Sequence, residues 1–180
     1  MNLNIIDNFF SPEDFQYMLA EALLNPYKSV WQPLNKFFIS RANAYPCLET
    51  NEFQENDLVK KIFITTLKQK TNLKIKNVIS FFRKIHSKEL NKIFKYGMPP
   101  HQDSQIYNFA GIVYYNTFGL DDGTGLFSTY DKDSFQIEPD IIIGAKPNRC
   151  VFYESQIWHR PLQDCNTEMR IVQPFFITLE

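Results

Sequence analysis

The sequence predicts an α+β fold, with helices early in the chain and strands through the rest. Two stretches before residue 71 repeat apolar residues at helical spacing, whereas short alternating or apolar runs separated by turn residues dominate from residue 77 onward. The chain is also rich in large flat side chains, with seventeen Phe and nine Tyr against six Gly, which suits the interior of a sandwich or barrel.

The chain opens with Asn4-Ile5-Ile6-Asp7, a short strand. Ser11-Pro12-Glu13-Asp14 then reads as a helix start, with Ser as N-cap, Pro in the first turn and two acids favouring the helix dipole. Phe15, Met18, Leu19, Ala22 and Leu23 form the stripe that packs into a core, and Asn25-Pro26 ends the helix. Over residues 27–54, Trp31, Phe37, Phe38 and Ile39 suggest a strand and Ala44-Tyr45-Pro46-Cys47 a turn. From Glu55 to about Lys70, Leu58, Val59, Ile62, Phe63, Thr66 and Leu67 mark a second helix with lysines outside. Residues 77–86 alternate as one long strand ending at His86, which nothing places beside the other histidines. Further strands are expected at about 92–96, 101–104, 109–116, 125–130, 141–143, 149–154 and 169–178. Turns at Gly97-Met98-Pro99-Pro100, Asp121-Asp122-Gly123, Gly144 and Pro147-Asn148 separate them. Pro174 lacks a ladder donor, so the last strand should have an edge or a bulge there.

At 180 residues the chain reads as a single domain, 1–180. Its net charge of −1 provides no global field toward nucleic acid or a membrane. Eleven of the nineteen Lys and Arg fall between Lys60 and Lys95, where Glu89 is the only acid, and a solvated helix face accounts for them. Cys47, Cys150 and Cys165 are odd in number and widely spaced, the start lacks a secretory pattern, and no apolar run reaches membrane-spanning length. These features predict a cytoplasmic protein with reduced thiols.

The chemistry concentrates in a few residues. In an extended strand His101 and Asp103 project from one face, so an imidazole and a carboxylate can close on one metal ion while Gln102 points away. His159, far downstream, supplies a second imidazole from another strand. Two imidazoles and one carboxylate on one side of an ion leave its other positions open, as in non-haem iron(II) oxygenase sites. Arg170 opens the apolar run through Ile177 and is suited to bidentate binding of a carboxylate.

At these residues the chain resembles the Fe(II)/2-oxoglutarate-dependent dioxygenases, nearest the prolyl 4-hydroxylase-like branch. That motif is His-x-Asp, a distal His, and an Arg or Lys about ten residues later. Ile112-Val113-Tyr114-Tyr115-Asn116, Gly123-Thr124-Gly125-Leu126 and Asn148-Arg149-Cys150-Val151-Phe152-Tyr153 follow that pattern in order, and the resemblance covers roughly residues 95–178. It implies a distorted double-stranded β-helix (jelly-roll, cupin-like) core buttressed by the N-terminal helices. It further implies Fe(II) on His101, Asp103 and His159, with 2-oxoglutarate held by Arg170 and Tyr114 against Leu126, and O2 as co-substrate. The implied reaction is hydroxylation, since halogenases of this kind replace the residue at Asp103 by a small one. Nucleic-acid demethylases carry a second Arg six residues after the first, and Phe176 here argues against that substrate. A peptidyl proline is the first expectation. A free amino acid or small metabolite, or a catalytically silent binding protein of the same fold, are the alternatives. Tyr107, Trp158 and Arg160 are the candidate substrate contacts.

Overall fold

A computed structural model describes residues 2–29, 47–86, 100–130, 138–162 and 167–180. The expectations for Trp31, Phe37–Ile39, Tyr45-Pro46, residues 92–96, the Gly97-Met98-Pro99 turn, Cys165 and the lysines beyond His86 lie outside these residues.

Helix α1 spans Pro12–Leu24, as its start signals predict. The Ser11 hydroxyl accepts the Asp14 N–H at 3.1 Å, and the Asn25 N–H returns to the Glu21 carbonyl at 2.9 Å to close the last turn. Helix α2 spans Leu58–Thr71 and stops at Asn72, whose φ of 55° places it in the left-handed region that ends many helices. No helix among the described residues is long and apolar enough to cross a membrane.

Eleven strands account for most of the remaining described chain: β1 Leu3–Ile6, β2 Lys28–Ser29, β3 Cys47–Glu49, β4 Ile75–Ser80, β5 Arg83–His86, β6 Phe109–Tyr114, β7 Gly119–Phe127, β8 Ile141–Ala145, β9 Arg149–Glu154, β10 Trp158–Pro161 and β11 Met169–Leu179. They form two antiparallel sheets. The larger runs β1-β9-β6-β11-β5-β3-β2, with β4 also on β11, and the smaller runs β10-β7-β8. The outer face of the larger sheet packs on both helices through Met18, Phe63, Leu67, Val113, Phe152, Phe175 and Ile177. Its inner face meets the smaller sheet through Tyr114, Val151, Tyr153 and Val172 against Leu126, Ile143 and Ala145. Two facing sheets with helices on one outer face make a double-stranded β-helix of the α+β class.

Several local expectations are corrected, and the turns expected at Asp121-Asp122-Gly123 and at Gly144 lie instead within β7 and β8. The single strand over 77–86 is two strands, broken at Phe81-Phe82. The Phe82 ring turns into the core, 4.9 Å from Phe53 and 5.6 Å from Tyr115, and its backbone exchanges hydrogen bonds with Thr50 instead of continuing the ladder. Residues 101–104 are not a strand: His101 makes an isolated bridge to His159, and the Asp103 N–H donates to the Ser155 carbonyl at 3.0 Å.

Pro174 lies neither at an edge nor at a bulge, because β11 is central and pairs in unbroken register with β6 through this point. The carbonyls of Ile171 and Ile177 accept hydrogen bonds from the β6 side, from Tyr115 and Asn108, so by alternation the backbone of Pro174 faces the opposite neighbour. There the ladder passes from β5, ending at Val172↔Arg83, to β4, starting at Phe175↔Ser80. The missing N–H therefore falls at the Phe81-Phe82 break, where no partner requires it.

Candidate metal centre

His101, Asp103 and His159 converge between the two sheets, with one ligand atom from each lying within 4.8 Å of the others. Reciprocal backbone hydrogen bonds between His101 and His159, both 2.9 Å, set the two imidazoles side by side, with ring centroids 4.3 Å apart. Gln102 turns outward and its amide donates to the Gln156 carbonyl. Although 102–104 leave the ladder, the i, i+2 pair still shares one side.

His159 is held in a defined orientation. Its Nδ1 lies 2.9 Å from the Ile157 carbonyl, so the proton belongs on Nδ1 and the Nε2 lone pair is left for the cluster. Nε2 stands 3.4 Å from Asp103 Oδ2. Two ligand atoms each about 2.1 Å from one ion and roughly at right angles sit about 3 Å apart, so this spacing fits a shared metal. Burial pushes the His159 pKa down to about 4, which keeps the imidazole neutral and ligand-competent at neutral pH. Burial raises the Asp103 carboxyl, and the positive charges of His101 and Arg83 oppose that rise.

A second polar group enters the apolar interior deeper in. Arg170, on β11, is 1% exposed, and its Cζ lies 5.4 Å from the centre of the Tyr114 ring. Its Nη2 donates to the Gly123 carbonyl at 3.2 Å, its Nε has no hydrogen-bond partner, and among the described residues it makes no ion pair. Nearby Asp122 is instead bonded by the Thr167 hydroxyl at 2.7 Å. A buried guanidinium without an anion is costly, so the chemistry of this position suits an incoming carboxylate. Gly123 is required where it stands, because a Cβ there would collide with the Ile143 carbonyl of β8. The Tyr114 and Thr124 hydroxyls are 2.7 Å apart, and burial raises the Tyr114 pKa, holding it as a neutral phenol. Leu126, fully buried, pairs with His159 across β7 and β10, three residues along β7 from Gly123, whose carbonyl Arg170 reaches.

The other candidates scatter. The Tyr107 ring stacks on Phe176 with centroids 5.0 Å apart. Trp158 and Arg160 flank His159 on β10 and project from the opposite face, Trp158 against Tyr130 at 5.1 Å and Arg160 over Phe127 at 5.5 Å. His86 pairs with Met169, away from the triad, at the far end of β5 from Arg83. Sequence reading does not single out Thr124, Arg83 or Glu49. The available signal for Arg83 is its place two residues before Ile85, which shares the inner face.

No protein-family model matches the chain, and no curated protein matches it in sequence. Solved structures do match in fold. A prolyl-4-hydroxylase from Pseudomonas putida aligns over 99% of this chain and 92% of its own, with a TM-score of 0.59 and 10% identity. A 2OG-Fe(II) oxygenase family oxidoreductase from Burkholderia pseudomallei aligns over 98% and 85%, with a TM-score of 0.61 and 7% identity. HygX from Streptomyces hygroscopicus, solved with nickel and 2-oxoglutarate bound, aligns over 98% and 82%, with a TM-score of 0.62 and 6% identity. This chain has the fold of those oxygenases.

Proposed function

We propose that this protein is an iron(II)- and 2-oxoglutarate-dependent oxygenase that hydroxylates a C–H bond of an organic substrate. The observation that carries the reading is the pairing of two sites in one interior: a His-Asp-His cluster and, deeper, a buried arginine that makes no ion pair among the described residues. His101, Asp103 and His159 would hold the metal, and Arg170, with the Tyr114 and Thr124 hydroxyls near it, would receive the far carboxylate of 2-oxoglutarate. With O2, that metal and co-substrate supply the oxidising power that replaces C–H by C–OH, leaving succinate and CO2. The chain's own contribution is orientation and dryness. The Ile157 carbonyl fixes the His159 tautomer, while Leu126, Val151 and Val172 line an apolar interior that excludes water.

A silent binding protein of the same fold would have no use for an unpaired buried guanidinium beside three convergent ligands. Succinate release and O2 consumption with Fe(II) and 2-oxoglutarate test the reading. Turnover that requires both, and that disappears in the Asp103→Ala and His159→Ala variants, supports it. Full activity without added metal after chelation, or in either variant, would overturn it. The resemblance suggests a peptidyl proline as substrate, and the Tyr107–Phe176 stack is a wall suited to a compact ring.

A further inference from the structure

The turn between β9 and β10 reaches two of the three triad residues. Its Ile157 N–H returns to the Glu154 carbonyl at 2.9 Å, and the Ile157 carbonyl meets His159 Nδ1, also at 2.9 Å. The two residues inside the turn reach Asp103. The Ser155 carbonyl accepts the Asp103 N–H at 3.0 Å, and the Gln156 side-chain amide donates to the Asp103 carbonyl at 3.1 Å. Asp103 is thus gripped by its backbone. Among the described residues no group outside the cluster hydrogen-bonds its carboxylate, which His159 Nε2 approaches at 3.4 Å. His159 is aimed through its own ring, but Asp103 is aimed only through the chain that carries it.

That chain returns to the same turn. After Asp103 it bends through Ser104, whose carbonyl accepts the Tyr107 N–H at 3.2 Å, and runs into β6 at Asn108. The Ser155 hydroxyl donates to the Tyr107 carbonyl at 2.5 Å, and the Ser155 N–H donates to the Asn108 carbonyl at 3.1 Å. One residue therefore closes both ends of the loop over 103–108. Two of its three bonds come from backbone, which any residue supplies. The third needs a hydroxyl. Serine is usually exposed, yet Ser155 is 2% exposed, and its single O–H is directed at this loop.

Resting on the oxygenase reading, we propose that Ser155 is a positioning residue of the metal centre, its hydroxyl closing the 103–108 loop so that the Asp103 carboxylate is held toward the two imidazoles. The turn then divides the task. Ile157 orients His159 through its carbonyl, and Ser155 orients Asp103 through the loop. Tyr107, whose ring stacks on Phe176, rides on the same loop, so that ring and the Asp103 carboxylate keep a fixed relation.

Co(II) is the probe, titrated by calorimetry into the chelator-treated full chain. Ser155→Ala should bind it about tenfold more weakly than wild type, the lower end of the loss for groups that orient metal ligands. Thr71→Ala is the control, because it removes a bond of the same kind, hydroxyl to the Leu67 carbonyl at 2.7 Å, from helix α2. Its Co(II) affinity should match wild type, which separates positioning from a general loss of stability. Wild-type affinity in Ser155→Ala, or equal losses in the two variants, would overturn the proposal and leave the metal centre standing. A wild type that binds Co(II) no better than Asp103→Ala would bring down the metal centre itself, and the proposal with it.

Discussion

Strand β11 carries two different proteins on its two faces. The outer row, Ile171, Gln173, Phe175 and Ile177, packs toward the helices, and its one polar member accepts the Tyr115 hydroxyl at 2.7 Å. Phe175 there sits 4.9 Å from Phe63 of α2, within a continuous aromatic cluster. The inner row, Arg170, Val172, Pro174 and Phe176, faces the smaller sheet and contains a buried guanidinium that, among the described residues, makes a single hydrogen bond, of 3.2 Å. Each face leaves one buried nitrogen without a partner among the described residues, Gln173 Nε2 outside and Arg170 Nε inside, but only the inner one belongs to a charge that an outside carboxylate would satisfy. Alternation along one strand thus separates stability from chemistry residue by residue.

That contrast is breakable by substitution. The largest effect on chemistry should come from Asp103→Ala, which removes the only carboxylate of the triad. Turnover should fall below detection, well beyond the about 10–100-fold loss typical of a residue that merely orients a ligand, with the thermal transition preserved. On the other face, Phe175→Ala should destabilise the fold by about 3–5 kcal/mol, since it empties a fully buried ring position. Denaturant titration reads that loss, and the Michaelis constant for 2-oxoglutarate of the folded fraction should be unchanged. If Phe175→Ala altered co-substrate use while leaving stability intact, the division between the faces would be wrong.

A subtler consequence concerns pH. The folded state holds His159 neutral down to a pKa of about 4, whereas the unfolded chain takes up that proton near the ordinary value of 6.5. The neutral imidazole's contribution is therefore present above pH 6.5 and is lost as pH falls toward 4. Asp103 acts in the opposite sense: its raised carboxyl contributes below its ordinary value of 3.8 and loses that contribution as pH rises through the folded value. Urea titrations of chelator-treated wild type and His159→Asn at pH 7 and pH 5 isolate the histidine. The wild type should lose more stability between the two, and equal losses would refute the assignment.

Much of the centre was legible in the sequence because its signals are local. His101 and Asp103 two apart, Ser11-Pro12 opening a helix, and the alternation that sets Arg170 beside Val172 all depend on nearest neighbours. Register between distant strands is not local. The break at Phe81-Phe82 looks like continued alternation until Phe82 is seen against Phe53 and Thr50. Pro174 signals an edge until its backbone is found facing that same break. Arg83 reads as one more basic residue in a lysine-rich stretch, and only its pairing with Val172 and Glu49 turns it inward. Trp158 and Arg160 adjoin His159 in sequence, yet on a strand adjacency means opposite faces.

Binding of 2-oxoglutarate under anaerobic conditions, measured by calorimetry with and without bound metal, tests the central claim most directly. Wild type should bind only when metal-loaded. Arg170→Ala, still folded and still holding the metal, should bind about ten- to hundredfold more weakly, as expected for loss of a buried charged contact. Equal affinity in wild type and Arg170→Ala, or equal binding with the metal removed, would contradict a co-substrate bridging the triad and Arg170.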